Sequence, residues 1–142
     1  MPQRIFTIDF ETICAFSKNQ NIELPYHLWD LEGAFERMQA ILEALNVSPT
    51  FFILSSTAEK YPKLIKRIAE RYDIGSHSYS HNLINTLGVK EFSEDLRKSI
   101  DLIQQITGKR INKYRAPGFS LPTTEYMEQL IENQIEIDCS QT

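Results

Sequence analysis

The stretch Pro49-Thr50-Phe51-Phe52-Ile53-Leu54 begins with a turn-forming proline and continues as a short, uninterrupted apolar run. A run of this kind is typical of a β-strand that is buried on both faces, as strands are in a parallel sheet covered by helices. The stretch therefore predicts a central strand, and the rest of the chain is expected to supply its neighbours.

The sequence on both sides of this stretch alternates between strand patterns and helix patterns. Strands are predicted at residues 4–11, 49–54, 72–75, 112–119 and 135–140, and amphipathic helices at residues 31–45, 63–72, 92–106 and 123–131. Asp30 and Thr123 are expected N-caps, and Gly108 is an expected C-terminal stop. Strands that alternate with helical crossovers are parallel and form right-handed βαβ units, so we expect an α/β sheet or barrel in one domain, residues 1–142.

Composition and charge narrow the choice of partners and compartment. The chain has 42% hydrophobic residues and a net charge of −4, without a clustered basic patch, which argues against a nucleic-acid partner. No apolar run approaches the length of about 20 residues that a membrane span needs, and no signal peptide is recognisable, so we expect a cytoplasmic protein. Cys14 and Cys139 are expected to be small buried thiols in a reducing compartment.

Two of the three histidines, His77 and His81, stand four residues apart in a small, polar stretch after the third predicted strand. Both imidazoles can point at one spot, and neutral imidazole is a common ligand for divalent transition metals. A catalytic zinc site takes about three protein ligands, so another residue must complete the set. A pair of solvated histidines without a metal is the alternative.

The other polar residues that suggest a site also follow strands. Asp9 and Glu11 share one face of the first predicted strand and would repel each other unless a cation or an arginine lay between them. Arg115 and Asp138 stand at the ends of the fourth and fifth strands. Chemistry in parallel α/β folds gathers at the carboxyl ends of the strands, so we expect these groups on one rim. Alternatively, Glu11 belongs to the following loop, where its carboxylate only caps the backbone or is solvated by water.

The stretch from Thr12 to His27 has no periodicity and predicts a long loop that lies over another part of the protein. His27 and Trp29 precede the first predicted helix. A lone histidine in that position favours a structural role over a catalytic one.

Three motifs resemble those of the polysaccharide deacetylases with a NodB-homology domain, also called carbohydrate esterase family four. They are Thr7-Ile8-Asp9-Phe10-Glu11, His77-Ser78-Tyr79-Ser80-His81 and Arg115-Ala116-Pro117-Gly118-Phe119. The resemblance covers essentially the whole chain and implies a distorted (β/α) barrel of about seven strands, of which this chain would supply about five. The usual first motif has two adjacent aspartates, but Phe10 stands at the second position, which is similar to the family branch with Asp-x-Glu.

The resemblance also implies roles for individual residues. His77 and His81 would bind a divalent metal, most often zinc, with Glu11 as the third ligand or, as the rival assignment, Asp9 itself. Asp9 would be the general base, held and kept ionised by Arg115. The substrate-binding residues would be Tyr79, Tyr114, Pro117, Phe119 and Asp138, with Tyr114 and Phe119 as groove walls and the Tyr79 N–H, or a neighbouring one, at the oxyanion.

The implied activity is metal-assisted hydrolysis of an acetamide on a sugar or glycan, with acetate as a product. In the family a later histidine protonates the leaving amine, but no histidine follows His81. We therefore expect either a fragment cut after the fourth motif or a natural short form without the acid, with weak or no turnover in both cases. Two exposed sheet edges would also favour homo-oligomers or poor solution behaviour.

Three other functions fit parts of the sequence. An amide hydrolase of the same fold could act on a small nitrogen compound such as allantoin. A non-catalytic module could retain metal or glycan binding after the loss of its acid. A flavodoxin-like sheet with magnesium at Asp9 and Glu11 would explain five strands but not the histidines or the Arg115 motif.

Overall fold

The strands form one parallel sheet in which neighbours in sequence are neighbours in space. The computed structural model describes residues 5–12, 30–119 and 121–140. Within these ranges the strands are β1 (Thr7–Phe10), β2 (Thr50–Ile53), β3 (Asp73–Ser76), β4 (Lys113–Tyr114) and β5 (Ile137–Asp138), in the order β1-β2-β3-β4-β5. All four pairings are parallel. The predicted α/β class and the five strands are thus confirmed.

Five helices connect or follow the strands of this part of the chain. They are α1 (Leu31–Ala44), α2 (Ser55–Lys60), α3 (Pro62–Arg71), α4 (Val89–Thr107) and α5 (Thr124–Glu132). Asp30 caps α1 by accepting a hydrogen bond from the Gly33 N–H at 3.0 Å, and Gly108 ends α4 with φ of +70°, as the sequence predicted. Thr123 is the N-cap of α5 by position, although its side chain does not make the capping hydrogen bond.

Three differences from the sequence prediction are local. The region after β2 contains the additional short helix α2, which ends at Lys60 with Tyr61 as its C-cap, because Pro62 starts a new helix at its first position. The predicted loop 82–88 contains a 3₁₀ turn at Ile84–Thr86. The fourth strand is only two residues long, since a second 3₁₀ turn at Pro117–Phe119 follows it closely.

The apolar run at residues 49–54 lies at the centre of the core. Phe51, Phe52 and Ile53 of β2 are completely buried. Phe51 packs edge-on against Phe10 and Phe35, with ring centroids 5.9 and 6.1 Å away, and so joins β1 and α1 to the central strand. Burial on both faces confirms the interpretation of this run.

The sheet is strongly curved. Arg115, directly after β4, donates a hydrogen bond from Nη1 to Oδ1 of Asp9 in β1 at 2.9 Å. In a flat sheet three strand spacings of about 4.8 Å would separate these strands by about 14 Å, which is beyond the reach of one arginine side chain. The sheet therefore curls as a barrel wall does. The sequential strand order also rules out the flavodoxin-like alternative, whose order reverses at a switch point.

The strands β1 and β5 are the outermost strands of the described sheet. Ile5 and Phe6, just before β1, are 79% and 54% exposed. These edges are where the predicted homo-oligomer would form, and that association stays a prediction. Among residues 5–12, 30–119 and 121–140, no helix combines the length and the apolar character needed to cross a membrane.

Gly75 in β3 provides a test of the packing that positions the following histidines. A Cβ at this position would lie 2.7 Å from the Phe52 ring and 2.9 Å from Cβ of Lys113. We expect Gly75→Ala to lower the free energy of unfolding by about 1–3 kcal/mol, because both contacts are tighter than packing allows. Urea denaturation followed by circular dichroism measures the change.

Gly88→Ala is the matched control for this substitution. Its added Cβ would meet only the far end of Glu91, at 3.8 Å. An alanine at this N-cap position costs less than about 1 kcal/mol. Equal urea midpoints for the two variants would contradict the packing argument at Gly75.

Candidate active site

Three potential metal ligands meet at the carboxyl ends of β1 and β3. Glu11 follows β1 directly, and His77 follows β3. His81 stands four residues further on. One ligand atom each from Glu11, His77 and His81 lies within 4.8 Å of the others. The structure therefore brings together the acid after the first strand and both histidines after the third.

His77 is buried and oriented by the backbone. Its Nδ1 lies 2.8 Å from the carbonyl oxygen of Arg115, and the side chain is held beneath the loop with 2% of the residue exposed. A carbonyl only accepts, so Nδ1 carries the proton and Nε2 keeps the lone pair that a metal needs. Burial lowers the pKa of His77, which favours this neutral form, while the nearby Asp9 charge opposes the shift.

His81 is paired with Glu11. Nε2 of His81 lies 3.0 Å from Oε2 of Glu11, with 12% and 23% of the two side chains exposed. The hydrogen bond with the Glu11 carboxylate raises the pKa of His81, and partial burial opposes this effect. The two imidazoles thus differ in protonation tendency although their ring centroids are only 5.3 Å apart.

Arg115 holds Asp9 beside this cluster. Nη1 donates to Asp9, Nη2 donates to Oγ1 of Thr7 at 2.7 Å, and Nε donates to the carbonyl oxygen of Cys139 at 3.2 Å. The guanidinium carbon also lies over two aromatic rings, 4.5 Å from the centroid of Phe52 and 5.0 Å from that of Phe119. Arg115 is 8% exposed, so its charge is used within the protein to fix one oxygen of Asp9.

The loop between the two histidines, residues 77–81, which we call the His loop, is anchored to two helices. The N–H groups of Ser55 and Ser56, at the start of α2, donate to the carbonyls of Ser78 and Tyr79 at 3.1 Å each. Asp95 of α4 accepts from the Tyr79 N–H at 2.8 Å. Its second oxygen accepts from the Ser80 hydroxyl at 2.9 Å.

A chain of hydroxyl groups lies beneath the His loop. Ser99 Oγ is 2.7 Å from both Ser55 Oγ and Ser76 Oγ, and all three residues are completely buried. Ser76 Oγ also accepts from the Ser78 N–H at 3.2 Å. These mutual hydrogen bonds offset the cost of burying the hydroxyls and join α2, β3 and α4 under the loop.

Three expected substrate contacts are corrected by this arrangement. Tyr114 is completely buried, its hydroxyl lies 2.7 Å from Ser78 Oγ, and burial raises its pKa, so it supports the His loop from below and forms no groove wall. Pro117 is also buried. The Tyr79 N–H is already bonded to Asp95, so this N–H is not available to an oxyanion. The Tyr79 hydroxyl donates to Glu59 at 2.7 Å.

The remaining predicted site residues have mixed environments. Phe119 is 46% exposed over Arg115, and Asp138 is exposed, with Oδ1 accepting from the Ser140 N–H at 3.0 Å. Their substrate roles stay predictions. Cys139 is a half-buried free thiol, less buried than expected, and burial raises its pKa. The predicted loop after Thr12, with Cys14 and His27, and Trp29 lie outside the described residues.

Sequence reasoning missed Asp95 and the serine chain. Residues 92, 96, 100 and 103 form the apolar stripe of α4, and residues 95 and 99 fall on the same face at helical spacing. An aspartate and a serine within that stripe are the signal that was available, because polar residues on a core face need partners.

The donor set fits a metal. Two imidazoles and one carboxylate match the three protein ligands of catalytic zinc sites and suit other borderline divalent ions as well. The second nitrogen of His77 is fixed by a backbone carbonyl, as is usual for metal-bound histidines. The described residues thus provide a preformed set of ligands.

Comparison with known proteins defines the class and then the family. The model of the family described as "Polysaccharide deacetylase" matches residues 26–134, which is more than half of the chain. The curved parallel sheet is that of a carbohydrate-esterase-like α/β domain. The chain belongs to the polysaccharide deacetylase family and carries its NodB-homology domain.

Individual relatives agree with this assignment. A peptidoglycan-N-acetylglucosamine deacetylase of Bacillus cereus is 33% identical over 96 residues, which are 67% of this chain and 32% of the relative. A putative polysaccharide deacetylase from Mycobacterium smegmatis superimposes with a TM-score of 0.75 at 22% identity, over 94% of this chain and 49% of that one. A CE4 family pseudoenzyme from Bacillus anthracis gives 0.73 at 19% identity, over 97% and 44%.

The two solved structures share the fold, and the curated relatives are longer than this chain. The chain spans about a third or less of the length of the first curated relatives that it matches.

Arg115→Ala tests the ion pair that joins β4 to β1. We expect it to lower the free energy of unfolding by about 3 kcal/mol, the low end for a broken buried pair, because Asp9 keeps some contact with solvent. Urea denaturation measures this change. Arg110→Ala is the control, since Arg110 forms an exposed ion pair with Glu136 at 2.7 Å and its loss should leave the midpoint nearly unchanged. Similar midpoints for both variants would show that the buried pair contributes little.

Proposed function

We propose that this chain is the catalytic domain of a metal-dependent N-deacetylase, which hydrolyses the acetamide of a sugar or glycan and releases acetate. The observation that carries the proposal is the cluster of Glu11, His77 and His81 beside the Asp9–Arg115 ion pair. All of these groups lie at the carboxyl ends of strands in a polysaccharide deacetylase fold.

In this proposal Glu11, His77 and His81 hold the metal, with zinc as the preferred ion. A divalent metal bound there would polarise the amide carbonyl and lower the pKa of water. The protein contributes the lone pair of His77 Nε2, which follows from the bond of Nδ1 to the Arg115 carbonyl. Asp9 is assigned no ligand role, because its Oδ1 is bound to Arg115 and it stands outside the described ligand cluster.

Asp9 is proposed as the general base. Arg115 occupies Oδ1 with a hydrogen bond, so the second oxygen, Oδ2, is the one that would accept a proton from water. The two rings next to Arg115 limit its motion and thereby the motion of Asp9. Arg115 is therefore proposed to position the base.

The substrate class is proposed from the relatives. The names of three of them specify peptidoglycan N-acetylglucosamine, peptidoglycan N-acetylmuramic acid and chitin, all of which carry N-acetylated amino sugars. The half-exposed Phe119 beside Arg115 offers an aromatic face at this end of the sheet. An N-acetylglucosamine oligomer is accordingly the substrate to test first. The proposed location is the cytoplasm.

A non-catalytic metal- and glycan-binding domain is the second candidate. It is favoured by one observation: the described residues contain no third histidine near the cluster to protonate a leaving amine. A pseudoenzyme of the CE4 family shares this fold. Zinc binding without acetate release in the complete protein would support this candidate over the hydrolase.

Glu11→Gln and His77→Ala test the metal site. We expect each variant to bind zinc more than about a hundredfold more weakly than the parent protein, because loss of a supporting partner alone costs 10- to 100-fold. Isothermal titration of metal-free protein with ZnCl₂ gives the affinities. Glu136→Gln is the matched control, since Glu136 pairs with Arg110 and Asn112 at the amino-terminal end of β5. Unchanged affinity in Glu11→Gln and His77→Ala would refute the ligand set.

Asp9→Asn separates the base from the ligands. We expect it to keep bound zinc and, in the complete enzyme, to release acetate from N-acetylglucosamine oligomers at least about a hundredfold more slowly, the usual effect of losing a general base. Zinc content and acetate are measured on the same preparation, with Asp101→Asn on α4 as the control. Loss of zinc from Asp9→Asn would instead identify Asp9 as a ligand, and hydrolysis of allantoin but not of the oligomers would favour the small-molecule amidase.

A further inference from the structure

The His loop adopts a backbone conformation that needs external support. Ser78 and His81 have positive φ values of 65° and 58°, in the left-handed region that residues other than glycine adopt at a cost. Two such residues among five persist only when the surroundings hold them. The contacts of the loop with its neighbours therefore decide where the second imidazole lies.

The two histidines are held in different ways. His77 directly follows β3, its N–H donates to the Ile53 carbonyl, and its ring is bonded to the Arg115 carbonyl. His81 comes four residues later, so its position depends on the course of the loop together with its pairing to Glu11. Support of the loop thus acts mainly on His81.

Asp95 binds the two residues of the His loop that directly precede His81. One carboxylate oxygen accepts from the Tyr79 N–H and the other from the Ser80 hydroxyl, so two consecutive residues before His81 are tied to α4. The contacts from α2 end one residue earlier, at the Tyr79 carbonyl. Asp95 itself is fixed on the long helix α4, next to the buried Leu96.

We propose that Asp95 is a positioning residue for His81, and hence for metal binding by the cluster. This inference rests on the proposed metal site. Asp95 does not contact the ligands. It acts through two hydrogen bonds that hold the His loop in its left-handed turn, and its negative charge is not required.

The experiment compares zinc affinities in competition with a chromophoric chelator, under conditions where every variant is folded. We expect Asp95→Ala to bind zinc about 10- to 100-fold more weakly, the range for lost support of a metal ligand. Asp95→Asn should stay close to the parent, because its amide oxygen can accept from Tyr79 and its NH₂ can donate to the Ser80 oxygen. Asp101→Ala, an exposed aspartate on the same helix, is the matched control and should bind as the parent does.

A readout without metal separates this inference from the proposed function. In metal-free protein, Asp95→Ala should broaden or shift the imidazole NMR signals of His81 while those of His77 stay in place. A merely structural role would disturb both rings or neither. If the parent protein binds no zinc, the proposed function fails, and these ring signals still decide whether Asp95 positions His81.

Three results would overturn the proposal. The first is parent-like zinc affinity in Asp95→Ala, and the second is an Asp95→Asn variant as weak as Asp95→Ala, which would show that the charge matters. The third is an unchanged His81 signal in Asp95→Ala. Should Asp95→Ala fail to fold, the exposed Ser80→Ala removes one of the two bonds and is expected to shift the His81 signal alone, in the same direction.

Discussion

The contact between Arg115 and Asp9 is the constraint on which the other features of this domain depend. It links the end of β4 to β1 across two intervening strands, at a distance that only a curved sheet allows. The same curvature brings Glu11 to the histidines that follow β3. The backbone of Arg115 contributes as well, because its carbonyl orients His77. One residue thus connects the shape of the sheet, the direction of the base and the protonation of a ligand.

Long-range periodicity made most of the fold predictable. The apolar run at 49–54 and the helical stripes depend on burial, which leaves a clear pattern in the sequence. Breaks in that pattern were harder to predict. The helix α2 was missed because its six residues are too few to show a period, and the shortness of β4 depends on the 3₁₀ turn at Pro117–Phe119. Local turns of this kind are decided by backbone geometry and neighbouring contacts, which composition does not reveal.

The candidate site was predictable where its residues follow strands and unpredictable where they lie on helices. Glu11, His77, His81 and Arg115 stand at strand ends, and parallel strands place their carboxyl ends on one rim. Asp95 and Ser99 lie within a helix, and their use depends on how α4 packs against the His loop. Tyr114 shows the opposite error. A tyrosine next to a site motif suggests contact with a ligand, yet the alternation of the strand points it into the core.

The strictly sequential strand order has a consequence for how the molecule is assembled. Each strand can pair with the one made just before it, so no pairing within the described sheet has to span more than one crossover connection. The link between Asp9 and Arg115 is different, since it spans 106 positions of the chain. It can close only after four strands are in place. During synthesis on the ribosome, the Asp9 carboxylate therefore stays without its guanidinium partner until Arg115 has emerged behind β4.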